Sequence, residues 1–348
     1  MEEPSRCPLS CQENGKPATL ASLLPLIHSK EAVQLTAECA KAKCVQTIKT
    51  TDVHVAGISC RPFAPCGAQE GTASWEMSAL GAWGGLMVKL EPKTIMVEQS
   101  HRFQVVILQS IFGSRYVWQV MILNGTDFGM KIRRKRFYAV GHHQEKVGEA
   151  ICRMDNVIPL LYRDARYNYT YRDYMIAESM PEFEHEKDEE LAWAIARPKS
   201  KAKGKTLDEV KTLHHPYDLA LTQVETTNLA KYEADLPRGI SCNIVQSFDK
   251  RPTYGTVDTM HTIVANMGLH FCTSSSVRRW FTTSELMVAQ GIPIHRSFAN
   301  PRGRHYTTTP YLMPANRKRI KVLHQIGNTM QIPVVGTVLF YLILFTQW

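Results

Sequence analysis

From Val53 onward the chain alternates short apolar runs with longer segments whose apolar positions recur at helical spacing. VHVAGIS (53–59) is a brief apolar run that enters a glycine-bearing turn, the pattern of a strand. TIMVEQ (94–99), VWQVMILN (117–124) and FYAVG (137–141) repeat it, and the segments Ser78–Leu90 and Ser100–Phe112 between them predict helices. This alternation predicts an α/β architecture with a parallel, doubly wound sheet. In such a sheet the chemistry gathers at the carboxyl ends of the strands. Residues 1–50 are weakly patterned, with a helix-like stretch near Glu31–Cys44. Between about 146 and 270 the pattern breaks into an aromatic–basic run, YRDARYNYTYRDY (162–174), an acidic run, EFEHEKDEE (182–190), and a basic run, RPKSKAKGK (197–205). Opposed charge runs predict solvated loops, and the stretch is expected to form a small separate domain. After 275 the pattern regularises into a helix near Thr282–Gln290 and an apolar run, Ile332–Phe345. That run is shorter than the about 20 residues a bilayer span requires, so it predicts a buried final helix.

Composition narrows the class. The 348 residues are 44% hydrophobic and 21% charged, enough apolar matter for one large or two modest domains and unlike a disordered chain. The net charge of +9 favours a polyanionic partner, because clustered cations gain by releasing its counterions. Nine scattered cysteines, an odd number, argue for a reducing compartment over a disulfide scaffold. Cys7/Cys11 and Cys39/Cys44 lack the C-x-x-C spacing of zinc knuckles, so no metal is expected. The first ten residues show no signal-peptide pattern.

Three segments carry candidate chemistry. GISCRPFAPCG (57–67) places Cys60 on a turn after a strand, beside Arg61. A thiolate there is a strong nucleophile, and a nearby cation lowers its pKa, although most cysteines are simply small buried hydrophobes. Glu98 closes the strand TIMV, where a carboxyl can exchange a proton in a cleft; a surface carboxylate has the same local pattern. KIRRKRFYAVG (131–141) runs four basic residues into a strand, which suits either a solvated turn or phosphate contact.

In order, these segments resemble the DNA (cytosine-5) methyltransferase family. GISCRPFAPCG is similar to its G-x-P-C-Q-x-F-S-x-x-G loop, and PKTIMVEQS (92–100) to its P-K-x-(apolar)-E-N-V strand. LNGTDFGMKIRRKRFYAVG (123–141) resembles the segment that ends in Q-x-R-x-R, and RRWFTTSELMVAQGIP (278–293) resembles R-x-L-T-x-R-E-x-x-R-L-Q-G-F-P. QIGNTMQIPVVGTVLFYLI (325–343) is similar to the Q-I-G-N element that ends these enzymes. The resemblance spans roughly 53–343 and implies a Rossmann-like, S-adenosylmethionine-dependent fold with helices on both faces of the sheet. It also implies a catalytic part over 51–145 and 271–348, and a target-recognition domain over 146–270 whose basic and aromatic side chains face double-stranded DNA. Cys60 is then expected to attack carbon 6 of a flipped-out cytosine, and Glu98 to hold a proton at ring nitrogen 3. Arg134 and Arg136 fall on the two motif arginines, the second expected at the cytosine carbonyl. Asn328 and Thr329 are expected beside S-adenosyl-L-methionine. A nuclear location is expected if the source is eukaryotic, and otherwise a cytoplasmic one.

The departures are as informative. Ser59, Arg61 and Ala64 replace Pro, Gln and Ser in the first motif; Gln99 and Ser100 replace Asn and Val in the second. Lys131-Ile132 replace Pro-Gln, Ser284 replaces the second Arg of the fourth motif, and Val288-Ala289-Gln290 stand for R-L-Q. The family's opening strand and F-x-G-x-G-G turn, which hold the cofactor's methionine, have no counterpart in residues 1–52. This predicts either a fragment or an incomplete cofactor site, and sets a catalytically inactive or truncated DNA-binding relative beside the active enzyme. A cysteine hydrolase built on Cys60 lacks any local His/Asn signature.

Overall fold

The computed structural model describes residues 19–30, 33, 35–38, 44–63, 69–148, 152–162, 170–175, 183–237, 239–250, 252–264, 269–273, 278–292 and 319–346. Cys7, Cys11, Cys39, Ala64 and Cys66 lie outside them. The chain divides into two compact units. Unit 1 comprises 1–123, 135–161 and 337–348; unit 2 comprises 124–134 and 162–336.

Unit 1 opens with α1 (Leu20–Ser29), started by a capping box between Thr19 and Ser22. Leu20, Leu23 and Ile27 form its buried stripe. Of the helix-like stretch expected near Glu31–Cys44, residues 31, 32, 34 and 39–43 lie outside the described residues, and Thr36–Glu38 is a strand, not a helix. Strands β1 (Thr36–Glu38) and β2 (Val45–Thr47) pair antiparallel. Threonine and valine favour extended backbone there, and helical spacing alone did not discriminate. The principal sheet contains β3 (Val53–Gly57), β4 (Thr94–Ser100), β5 (Tyr116–Asn124) and β6 (Lys135–His143), in the order β3-β4-β6-β5. Helices α2 (Met77–Leu90) and α3 (Val105–Phe112) join the strands. β3 and β4 are parallel, as the alternation predicts, whereas β6 runs antiparallel to β4.

Every residue of β4 is buried, the mark of a strand covered on both faces. Ile95, Val97, Phe137 and Ala139 share one cluster with α1, α2 and α3, while the alternate positions Met96, Tyr138 and Val140 are buried as well. His28 of α1 places its Nε2 at 3.0 Å and 3.1 Å from the carbonyls of Ser110 and Ile111, at the C-terminal end of α3. On β6, Gly141 leaves room for the Trp118 ring, since a Cβ there would lie 2.8 Å from it. Helix α4 (Met154–Tyr162) follows.

Unit 2 holds α5 (Glu184–Ala196), α6 (Leu207–Lys211), α7 (Pro216–Leu219) and α8 (Gln223–Asp235). They accompany a small sheet of β7 (Ser241–Asn243), β8 (His270–Thr273) and β9 (Arg278–Trp280), ordered β7-β8-β9 and antiparallel throughout. α9 (Thr283–Ala289), α10 (Arg319–Asn328) and α11 (Ile332–Phe345) complete the chain, α11 continuing into unit 1.

The acidic run is not a solvated loop, whereas the basic run 197–205 is mostly exposed turn, as expected. Most of the acidic run lies on α5, and Glu190 is buried, accepting from Trp280 Nε1 (3.1 Å) and Thr283 N (2.7 Å) and facing Arg319 Nε at 3.0 Å. In the aromatic–basic run, Tyr171 and Tyr174 are core residues, not part of a DNA-facing surface. Burial wins at these positions because each polar atom named finds a partner. Among the described residues no single helix is long and apolar enough to cross a membrane.

Candidate active site

The register of the sheet sets the site. Gly57, the last residue of β3, lies opposite Glu98 on β4, so the loop that carries Cys60 leaves the sheet at the edge where Glu98 nears the end of its strand. Glu98 is buried, with 6% of its surface exposed, and Cys60 is half-buried. The loop is fixed by backbone contacts. Phe63 N donates to Cys60 O at 3.0 Å, which closes a turn over the thiol-bearing residue. Gln99 Nε2 donates to the carbonyls of Ile58 (3.2 Å) and Ser59 (3.0 Å), and Ser100 Oγ to that of Phe63 (3.4 Å). Gln99 and Ser100 are two of the departures from the family pattern, and here they hold the cysteine loop on β4.

Arg61 does not serve as a dedicated cation for Cys60. Its guanidinium is largely exposed and pairs with Glu76 at 2.9 Å, and Glu76 also accepts from Ser59 Oγ at 3.4 Å. The cation that does enter the site is Arg136. Ser100 faces Arg136 and Glu98 faces Tyr138 across the β4–β6 pair, making Glu98 and Arg136 diagonal neighbours on one face. Arg136 Nε stands 3.2 Å from Glu98 Oε1, and Arg136 Nη1 donates to Lys135 O at 2.9 Å. The same edge is strongly basic. His101 is held below its usual pKa first by partial burial and then by the charges of Lys135, Arg102 and Arg136. A thiol on a tethered turn, a buried carboxyl and a guanidinium thus share one sheet edge, with positive potential around them. Glu76, Gln99, Ser100 and His101 had no distinguishing signal in the sequence.

The other expected site residues belong to unit 2 and have different surroundings. Arg134 is buried (3% exposed). Its guanidinium donates to Ile263 O at 3.0 Å and to Gly327 O at 3.2 Å, and its own amide donates to Asn124 Oδ1 at 2.9 Å. Asn124 and Asp127 form a capping box around the turn Gly125–Phe128, which ends at Gly129 with φ 77°, a left-handed conformation that favours glycine. Asn328 is exposed and lies 3.3 Å from His324 Nδ1, while Thr329 Oγ1 donates to Gln325 O at 2.8 Å. The fourth motif is joined to the same element. Gln290 Nε2 reaches Ile326 O (3.4 Å), Ile332 N donates to Gln290 O (3.1 Å), and Arg279 binds Glu285 through both nitrogens at 2.8 Å and 2.7 Å.

S-adenosylmethionine is the cofactor conventional for such a family, and its fit is tested by the sheet. β3 is an edge strand, and the described residues before it form a helix and a hairpin. Among the described residues no strand and glycine turn stands beside β3 to cradle a methionine or ribose, so they do not by themselves fit the cofactor. Nor do they hold any cluster of three or more His, Cys, Asp or Glu able to bind a metal.

Comparison with known proteins bears on this arrangement. The family model described as C-5 cytosine-specific DNA methylase matches residues 29–340. No curated protein matches the chain. Among solved structures, the Dnmt2 methyltransferase of S. pombe is 13% identical with a TM-score of 0.47, covering 84% of this chain and 78% of that one. The methyltransferase EhMeth of Entamoeba histolytica is 11% identical with a TM-score of 0.42, covering 84% and 76%. A putative DNA modification methyltransferase of an E. coli prophage is 14% identical with a TM-score of 0.45, covering 85% and 79%. The family match takes in four of the sequence motifs whole and most of the fifth, and by it this chain belongs to the C-5 cytosine-specific DNA methylases, a family of methyltransferase enzymes.

Proposed function

We propose that unit 1 performs the covalent chemistry of cytosine-5 methylation on a cytosine extruded from DNA. The single observation that carries this reading is the convergence of Cys60, Glu98 and Arg136 on one sheet edge. The thiolate of Cys60 adds to carbon 6, forming a C–S bond and moving the ring's electron pair toward carbon 5 and nitrogen 3. Glu98 supplies a proton at nitrogen 3, so that no negative charge accumulates on the ring. Arg136 braces the adjacent carbonyl while keeping Glu98 in place. Carbon 5 then takes a proton from solvent and loses its original one to solvent; the nitrogen-3 proton returns to Glu98 as Cys60 leaves as thiolate. The base must leave the stack for the thiol to reach its face.

A second reading, a methylase relative that binds DNA without turnover, is favoured by β3 being the edge strand among the described residues. Exchange of the cytosine carbon-5 proton for deuterium separates the two, because it needs the covalent step and no methyl donor. Exchange in a cytosine-containing DNA strand that disappears with Cys60→Ser supports the enzyme reading. A folded protein that binds the strand without exchange supports the second. S-adenosylmethionine binding by calorimetry is the companion measurement for the cofactor.

A further inference from the structure

Unit 2 contains a hollow of about 380 Å³ lined by Arg133, Pro252, Thr253, Tyr254, His261 and Thr262. Backbone ladders hold its walls. On one side, residues 131–133 run beside 260–262: Met260 N donates to Lys131 O (2.7 Å), Arg133 N to Met260 O (3.0 Å), and Thr262 Oγ1 to Arg133 O (2.6 Å). On the other, 253–255 lie along β7: Asn243 N donates to Thr253 O (2.9 Å), and Gly255 N to Ser241 O (2.8 Å).

Three side chains give the hollow its character. Tyr254 is 42% exposed, its ring set edge-on to the buried Tyr232 at 6.4 Å, while the Tyr232 hydroxyl accepts from Thr253 N at 2.8 Å. Arg133 is exposed, and its guanidinium meets no carboxylate among the described residues. His261 is buried, with 3% exposed; its Nδ1 lies 3.4 Å from Ser241 Oγ, and its ring stacks on His270 at 3.9 Å. Among the described residues its Nε2 has no hydrogen-bond partner, and that atom is itself buried. Burial lowers the His261 pKa to about 3, so the ring is neutral near pH 7 and forms an uncharged floor.

An aromatic face and a cation around a hollow of this size match two parts of a nucleotide. Bases stack on tyrosine whatever their sequence, and phosphate draws the guanidinium. We infer that this hollow holds an unpaired nucleotide of the nucleic-acid substrate, its base on Tyr254 and its phosphate at Arg133. The inference rests on the nucleic-acid part of the proposed function and is independent of the covalent chemistry in unit 1.

The test is the binding of the full chain to a labelled, cytosine-free single strand of adenosines, followed by fluorescence anisotropy at physiological salt. Such a strand offers Cys60 no target. Tyr254→Ala is expected to weaken binding about tenfold, and Tyr254→Phe, which keeps the stacking face, to stay within about twofold of wild type. Arg133→Gln is expected to lower the salt slope by about one. A matching A·T hairpin duplex is expected to show no dependence on Tyr254. Equal binding by wild type and a folded Tyr254→Ala variant overturns the inference, as does equal loss by Ala and Phe; the cytosine exchange result then stands or falls separately. Tyr254-dependent binding without cytosine exchange keeps the nucleotide site and removes the covalent reading.

Discussion

Arg134 and Arg136 are two residues apart in one motif and do different work. In unit 2, Arg134 spends its donors on the carbonyls of Ile263 and Gly327, which ties the Q-I-G-N element to the segment before β6. In unit 1, Arg136 sits over Glu98 at the edge where Cys60 emerges. The other motifs follow the same division. Those of unit 1 assemble a thiol, a carboxyl and a guanidinium, whereas those of unit 2 are joints: Arg279 with Glu285, Gln290 with Ile326, Arg134 with Gly327. A motif that marks a family therefore need not mark its chemistry. A buried arginine holding carbonyls constrains sequence as strongly as one that touches substrate.

Substitutions can break this contrast. The largest effect is expected from Cys60→Ser, which should reduce cytosine carbon-5 exchange by at least about a thousandfold while leaving the urea midpoint unchanged, because the thiol is half-buried on a loop held by backbone contacts. A matching loss of stability would place Cys60 among the joints. Arg134→Ala should cost about 3 kcal/mol in urea unfolding, through stranded carbonyls and a lost buried side chain. Arg136→Ala should lower exchange about a hundredfold with a smaller stability loss than Arg134→Ala. Equal stability losses would erase the distinction between the two arginines.

Acid should act through the stacked histidines of unit 2. Burial holds His261 at about 3 and His270 well below its usual value. The unfolded chain takes up those protons below about pH 6.5 and the folded chain does not. Their contribution to stability is therefore complete above that pH and is lost as pH falls toward 3, by up to about 1.4 kcal/mol per pH unit for each histidine. His270→Phe, which keeps the stack and removes one titrating group, should flatten the decline of the urea midpoint between pH 6.5 and 5. An unchanged slope would show that other groups carry it. The smallest effect is expected from Gln99→Ala, about 1 kcal/mol in the exchange barrier through loosening of the 58–59 carbonyls, with little change in unfolding.

Much of unit 1 was legible in the sequence, because local patterns fix it. The runs at 53, 94, 117 and 137 became β3 to β6, and the segments between them became α2 and α3; β4, buried on both faces, shows why a continuous apolar run marks a strand. The Cys60 and Glu98 motifs were legible because each lies close to the end of a strand. The pairing of β1 with β2, the antiparallel entry of β6, and helices α5 to α8 of unit 2 were not legible. Each depends on partners distant in the chain: Glu190 is buried only because Trp280, Thr283 and Arg319 come to it. The sequence by itself determined the order of strands and helices and the residue types placed at their ends, because hydrophobic periodicity and turn chemistry are local. Only the tertiary structure decided which arginine faces Glu98, that Gln99 and Ser100 tether the cysteine loop, and that Arg133, Tyr254 and His261 share a hollow. Those are matters of register and packing between segments up to about a hundred and thirty residues apart, where burial and unsatisfied polar atoms set the outcome.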